Sequence, residues 1–230
     1  MRKFISWVLF LSLVSMTSSA FALKLLEGEA TLTSSLSGKA YVDYIVSDTD
    51  LATGIPASSF VFSTIQGSAP PYKGDKATYD ASAYFYYYQL ENFSPDSLST
   101  IKQLTLNIFA GCVCSTGFII GADLDDISTF DHNIAGEHEN VVTVRDPDTA
   151  DFDDMSYPNN QTWAFSPTEL VIGAESGVLF LTSMLPPGMS PAYALDGTPY
   201  EGELPVPVPE PFSIILLGSG IVGLYIRKKS

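Results

Sequence analysis

The segment Gln103-Leu104-Thr105-Leu106-Asn107-Ile108 alternates strictly between polar and apolar residues. Successive side chains of a β-strand point to opposite faces of its sheet, so this pattern predicts a strand with one face in a core and the other towards water. Residues 42–46 and 162–166 show shorter alternations of the same kind. The body of the chain is therefore expected to be built from half-buried strands.

The rest of the body fits the same architecture. Further strands are predicted at 30–34, 59–65, 82–91, 113–120, 141–144 and 177–182. The connections between them are rich in Gly, Pro, Ser, Asn and Asp, and no long amphipathic helical stretch interrupts them. Roughly eight to ten short strands in one body predict an all-β fold, a single antiparallel β-sandwich of immunoglobulin-like or jelly-roll-like type. We place this ectodomain at residues 23–204.

The N-terminal segment has the construction of a secretory signal. Arg2 and Lys3 precede an apolar stretch, and small residues follow that close with Ala20-Phe21-Ala22. A basic start, an apolar centre and an A-x-A ending predict a signal peptide over residues 1–22, with Ala20 and Ala22 at the cleavage site. The expected partners are the secretory translocon and signal peptidase. We expect the protein to be exported and to have an N-terminal signal helix before cleavage.

The C-terminal segment carries a second signal. Pro209-Glu210-Pro211 is followed by an apolar run over residues 212–226 and then by Arg227, Lys228 and Lys229. As a helix the run would be about 22 Å long, somewhat short of a full bilayer crossing. We predict a transmembrane helix at 212–226, stopped on the cytoplasmic side by the basic tail 227–229. Residues 205–230 then form a Pro-rich linker and a sorting signal.

Together the two ends resemble the PEP-CTERM proteins of Gram-negative bacteria, which are substrates of the membrane transpeptidase exosortase. The resemblance implies that Pro209, Glu210 and Pro211 form the processing site. It also implies transient insertion in the inner membrane through residues 212–226, and then release or transfer to the cell surface, commonly where exopolysaccharide is made. More loosely, the body resembles the sandwich domains found ahead of such tails, through the aromatic-rich strand ending in Asn92 and the later strand with Trp163.

The charge of the chain limits its partners. The formal net charge is −15, with 26 acidic and 11 basic residues. The segment between the two signals is more negative still, because Arg2, Lys3 and the basic tail 227–229 lie outside it. Phosphate recognition requires clustered Lys and Arg, so nucleic acid is not an expected partner. Divalent cations and neutral or cationic polymers are compatible with this charge, which also favours solubility.

Five consecutive aromatic residues, 84–88, have two interpretations. If one alternating set is exposed, it forms a stacking platform for sugars. The alternative, which we favour, is a central strand that packs on both faces.

An acidic segment suggests a cation site. Asp146, Asp148, Asp151, Asp153 and Asp154 could supply the oxygen ligands that Ca²⁺ prefers. Their spacing does not match the EF-hand loop. Structural calcium is one interpretation and a solvated acidic loop is the other. Otherwise no cofactor is expected.

Cys112 and Cys114 are the only cysteines. In an extended strand the Cα atoms of alternate residues lie about 6.5 Å apart, near the upper limit for a disulfide. A bend at Gly111 would allow a local bridge between them. Buried thiols and intermolecular links are the alternatives.

The sequence contains no nucleophile elbow, zinc-protease helix, Walker loop or dinucleotide fingerprint. His132 and His138 lie in a polar segment and are expected to be solvated. We therefore expect a non-enzymatic protein of the cell envelope or extracellular matrix. A carbohydrate-binding or calcium-dependent adhesion module is the alternative, followed by an unrecognised hydrolase.

Overall fold

The computed structural model describes residues 24–66, 74–93, 96–97, 99–108, 111–127, 143–153, 159–195 and 199–209. Within these ranges the chain is mostly β-structure, which confirms the predicted all-β class. No helix among these residues is both long and apolar enough to cross a membrane. The predicted signal peptide, the segment 212–226 and the basic tail, together with both histidines, lie outside the described residues.

The strands and helices of the described residues are as follows. The strands are β1 (Lys24–Ser34), β2 (Lys39–Ser47), β3 (Phe60–Phe62), β4 (Thr64–Gln66), β5 (Tyr84–Asn92), β6 (Gln103–Ile108), β7 (Ser115–Ile119), β8 (Thr143–Arg145), β9 (Thr149–Asp153), β10 (Asn159–Ala164), β11 (Ala174–Ser176), β12 (Val178–Ser183), β13 (Pro187–Leu195) and β14 (Pro199–Pro207). The helices are α1 (Lys76–Asp80), α2 (Leu124–Ile127) and a 3₁₀ turn at Ala57–Ser59.

All the strands belong to one continuous sheet. Its order is β3-β7-β12-β5-β2-β1-β14-β13-β6-β10-β9-β4. Outside this path, β11 pairs with β5 and also with β8. The pairs are antiparallel except β4 with β9 and β8 with β11. The sheet thus has the predicted antiparallel character, but its strands are joined in one path rather than divided between two separate sheets.

The sheet almost closes on itself at Ser63. β3 stands at one end of the strand order and β4 at the other, yet only Ser63 separates them in sequence. The Ser63 amide donates to the Thr116 carbonyl oxygen at 2.8 Å, at the β7 side of the gap. One bent segment therefore brings the two ends of the sheet together, and the result is nearly closed and barrel-like.

The main core fills the interior of this sheet. It takes side chains from distant strands, including Tyr88 of β5, Leu106 of β6 and Trp163 of β10. The ring centroids of Tyr88 and Trp163 are 6.1 Å apart. The Trp163 indole N–H donates to the Gly117 carbonyl oxygen at 2.7 Å, so this fully buried side chain is also satisfied as a donor.

A second core lies on the outer face of β5, β7 and β12. Its buried residues include Tyr87, Phe180 and Tyr79, the last from α1, and Leu124 of α2. The two short helices and the loop before β3 thus cover one outer face of the sheet. β5 is buried on both faces as a result, which is the packing favoured for residues 84–88.

The C-terminal hairpin extends beyond the predicted domain boundary at residue 204. β13 and β14 pair along their whole lengths, and β14 continues to Pro207 with Pro205, Val206 and Pro207 buried. β13 pairs with β6 only through Ala192–Leu195, and β14 pairs with β1 only through Glu201 and Tyr200. Among the described residues, no strand pairs with the remaining outer edges of the hairpin. Prolines are tolerated at such edges because no amide hydrogen is needed there.

Candidate functional site

The aromatic platform predicted as one alternative for residues 84–88 is not available at the surface. Tyr86, Tyr87 and Tyr88 have no exposed area, and Phe85 is nearly as buried. The Tyr86 and Tyr88 hydroxyls donate to the carbonyl oxygens of Leu185 and Pro205 inside the fold. These rings act as core residues and offer no face to a sugar.

Buried hydroxyls from α1 and β5 meet the carboxylate of Asp50. The Asp50 Oδ1 atom accepts from the Tyr79 hydroxyl at 2.7 Å and from the Tyr87 hydroxyl at 2.8 Å. The Lys76 ammonium lies 4.3 Å from the centroid of the Tyr79 ring. Burial raises the pKa of Tyr79 far above its usual range, so the hydroxyl remains neutral. This satisfied network fastens α1 to the sheet and is not arranged for acid–base chemistry.

A broad polar surface lies on the opposite half of the sheet. We call it the polar face and define it as the outward residues of β14, β13, β6, β10 and β9. Its polar members and tyrosine are Glu201, Glu203, Tyr193, Gln103, Thr105, Asn107, Asn160, Thr162, Thr149, Asp151 and Asp153, and its apolar members are Met189, Pro191, Leu195, Pro199 and Ala164. The alternations at 103–108 and 162–166 correctly predicted β6 and part of β10 in this face.

The polar face is arranged in rows across the strands. The register places Asp151, Thr162, Thr105, Tyr193 and Glu201 side by side on successive strands. The hydroxyl oxygens of Thr105 and Thr162 are 3.1 Å apart, within hydrogen-bond distance. Hydroxyl and amide groups occupy the middle of the face, one tyrosine stands among them, and carboxylates mark both edges.

A group of carboxyl side chains lies on the other half of the sheet, beside α2. We call it the carboxyl cluster, and its members are Glu29, Asp43, Glu91, Asp123, Asp125 and Glu175. Asp43 is 3% exposed and Glu91 is 7% exposed, which is unusual for ionisable groups. They occupy adjoining strands, since Asp43 pairs with Gln89 and Tyr41 pairs with Glu91 in the β2–β5 register.

Burial and like charge change the proton affinity of this cluster. Burial, followed by the charges of Glu91 and Glu29, raises the pKa of Asp43 to about 9. Burial, followed by the charge of Asp123, raises the pKa of Glu175 to about 8. Both shifts favour the protonated form at neutral pH. The sequence analysis did not predict that Asp43 and Glu175 are buried carboxyls. For Asp43 a signal was available, because it lies within the otherwise largely apolar run 40–46.

The acidic residues proposed for calcium are separated in the structure. The Asp146 Oδ1 atom accepts from the Gly121 amide, and Asp148 pairs with Arg145 at 3.1 Å. Asp151 and Asp153 lie on the polar face, and Asp154 is outside the described residues. Among the residues that the structure describes, no three His, Cys, Asp or Glu side chains are grouped to hold a metal ion.

Cys112 and Cys114 are buried and not bonded to each other, so the predicted local bridge is not present in the structure. The segment is held along β12, where the Cys114 amide donates to the Thr182 carbonyl oxygen at 2.8 Å. The Ser183 hydroxyl donates to the carbonyl oxygen of Cys112. Burial raises the pKa of the Cys112 thiol, which makes it a poorer nucleophile at neutral pH.

The predicted processing site begins where the described domain ends. Pro209 is exposed, two residues after β14 ends at the buried Pro207. Glu210 and Pro211 lie outside the described residues, as do Ala20, Ala22, Arg227, Lys228 and Lys229.

No family model, curated protein or solved structure matches the chain.

Proposed function

We propose that this chain is an exported, non-enzymatic module of the cell envelope or extracellular matrix, sorted by a PEP-CTERM-type signal. An exosortase-type membrane transpeptidase processes it near Pro209-Glu210-Pro211. The chain is held in the inner membrane through residues 212–226 during sorting and is then released or attached at the cell surface. The folded β-domain is the functional part of the chain. Its fold is a sandwich-like arrangement in which the two layers are joined at their edges.

One structural observation carries this proposal: the sheet ends just before the motif. β14 ends at Pro207, and the Val208 amide makes a further bond of 3.1 Å to the Pro186 carbonyl oxygen. Pro209 then stands exposed at the exit of the domain. Cleavage next to this point leaves every described strand in the processed body, together with its core.

Mapping of both termini by mass spectrometry tests the proposal. Protein is recovered separately from membranes and from the culture medium of the native host. We expect an N-terminus near Leu23 and, in the medium or surface fraction, a C-terminus near Glu210. A Glu210→Ala variant should accumulate in membranes with its tail intact, whereas the matched Glu203→Ala variant should be processed normally. Wild-type protein that ends only at Ser230 and stays in membranes would show a tail-anchored domain instead.

The polar face supports carbohydrate binding as a second candidate function. Sugars are bound by hydroxyl and amide groups beside an aromatic ring, and the face offers Thr105, Thr162, Asn160 and Tyr193 in adjoining positions. The carboxylates at its edges oppose anionic polymers. The expected ligand class is therefore a neutral or amino-sugar polysaccharide of the matrix, and the site is the polar face rather than residues 84–88.

Co-sedimentation with insoluble polysaccharides tests this second function. We expect binding to a neutral or amino-sugar polymer such as cellulose or chitosan, and weaker binding to an anionic gel such as calcium alginate. Tyr193→Ala should weaken binding at least about tenfold, which corresponds to about 1.4 kcal/mol. Leu36→Ser changes an exposed turn residue outside the face and should leave binding unchanged. Equal loss in both variants, or no binding to any polymer, would count against the polar face as a site.

A further inference from the structure

The carboxyl cluster contains two side-chain pairs in contact. Asp43 forms a hydrogen bond with Glu91, and Glu175 forms one with Asp123. An ionised carboxylate can only accept hydrogen bonds, so a bond between two carboxyl groups requires a proton on one of them. The sheet register also places Glu29 opposite Asp43 and Glu175 opposite Glu91, and Asp43 and Glu91 are both buried. This crowding of carboxyl groups favours a retained proton in each pair.

These pairs lie where α2 is attached to the sheet. The Leu124 amide donates to the Gln89 side-chain oxygen at 3.3 Å, and Gln89 in turn donates to the Ser176 carbonyl oxygen at 3.0 Å. The Val178 amide donates to the Ala122 carbonyl oxygen at 3.0 Å. Asp123 comes directly before α2, so its bond to Glu175 joins the start of this helix to β11.

The charged groups around the pairs come from every neighbouring element. β1 contributes Glu29, which pairs with Asp43, and the α2 segment contributes Asp123 and Asp125. Tyr41 lies beside Glu91, and its hydroxyl donates to Asp96, which also pairs with Lys39. β8 contributes Arg145, whose guanidinium is directed to Asp148 and to the Thr168 carbonyl oxygen. The groups that act most strongly on Asp43 and Glu175 are all acidic.

We propose that the Asp43–Glu91 and Asp123–Glu175 pairs form a proton-dependent clasp that holds α2 on the sheet at acidic and neutral pH and releases it in alkaline conditions. Loss of the two protons would place up to six negative charges together on a partly buried surface. Release of α2 separates Asp123 and Asp125 from the other four and exposes the rest to water. The clasp does not depend on the sorting signal or on sugar binding.

The direction of the pH effect follows from linkage. A carboxyl in water has a pKa of about 4, and the raised pKa values of Asp43 and Glu175 mean that the closed state binds more protons than the open state. The stability of the closed state is therefore complete below about pH 4 and is lost as the pH rises towards 8 and 9. For each retained proton, the opening equilibrium constant rises by at most about tenfold per pH unit.

Hydrogen exchange measured by mass spectrometry tests the clasp on the full chain in mild detergent. The quantity compared is the protection factor, in which the pH dependence of intrinsic exchange is divided out. Between pH 6 and pH 9 we expect protection of residues 122–127 to fall at least about tenfold. Protection of Gln103–Ile108, in the other half of the sheet, should change much less.

A double variant, Asp43→Asn with Glu175→Gln, gives the matching test. An amide donates the hydrogen bond without needing a proton, so the protection of residues 122–127 should become nearly independent of pH. Glu203→Gln removes one charge from the polar face and should behave as the wild type does. Wild-type protection that is constant from pH 6 to pH 9 would overturn the proposal without any variant. A double variant that folds but loses protection as steeply as the wild type would also overturn it.

Discussion

At the scale of single residues, Gly117 has the least room for a side chain among the glycines of the described strands. A Cβ atom at this position would lie 1.9 Å from the Val61 carbonyl oxygen, which is backbone and cannot turn aside. The Gly117 carbonyl oxygen also accepts the Trp163 indole N–H. We expect Gly117→Ala to lower the free energy of unfolding by about 2 kcal/mol or more, because β3 must move away from β7. Urea unfolding measures this difference.

Gly54 provides the control for this substitution. It lies in an exposed turn with no atom within 4 Å of a Cβ built on it. Gly54→Ala should therefore change the free energy of unfolding by no more than about 0.5 kcal/mol. Equal effects at both glycines would show that the approach of β3 to β7 is not a constraint on the fold.

At the scale of strands, the sequence was most informative for β6, where one face is apolar and the other polar. β6 has the alternation that predicted it, and its side chains alternate between half-buried and buried along its whole length. β5 was predicted as a strand, and packing on both faces was the favoured interpretation of its aromatic residues. The structure buries Tyr86 in the main core and Tyr87 in the second core. The cover itself, from α1 and α2, was not predicted, since helices of five and four residues have no periodicity to detect.

The C-terminal hairpin was not predicted, for two physical reasons. The inward positions Ala192 and Ala194 of β13 are small, so the apolar alternation is weak. Pro205 and Pro207 in β14 suggested a linker. No described strand pairs with the outer edge of β14 at these positions, so no amide hydrogen is needed there. Alternation therefore predicted β6 and part of β10 in the polar face. The rows across strands follow from register, which local sequence does not encode.

The carboxyl cluster shows the same limit. Asp43, Glu91 and Glu175 lie far apart in sequence and meet because β2, β5 and β11 are neighbours in the sheet. The acidic segment at 146–154 drew attention because its residues are close in sequence. The strands and turns then direct Asp146, Asp148 and Asp151 to different surroundings.

At the scale of the whole molecule, Ser63 joins the two ends of the sheet. Ser63→Pro would remove its amide bond to Thr116 and interrupt the bent segment between β3 and β4, at a cost of about 3 kcal/mol. Ser63→Ala is the matched control, since it removes only the hydroxyl bonded to the Gln161 side chain, at a cost of about 1 kcal/mol.

Differential scanning calorimetry should show a lower midpoint for Ser63→Pro but still a single transition. The reason is that the interior core takes Tyr88 and Trp163 from opposite sides and unfolds as one unit. Two separate transitions in the wild type or in Ser63→Ala would contradict a single cooperative core.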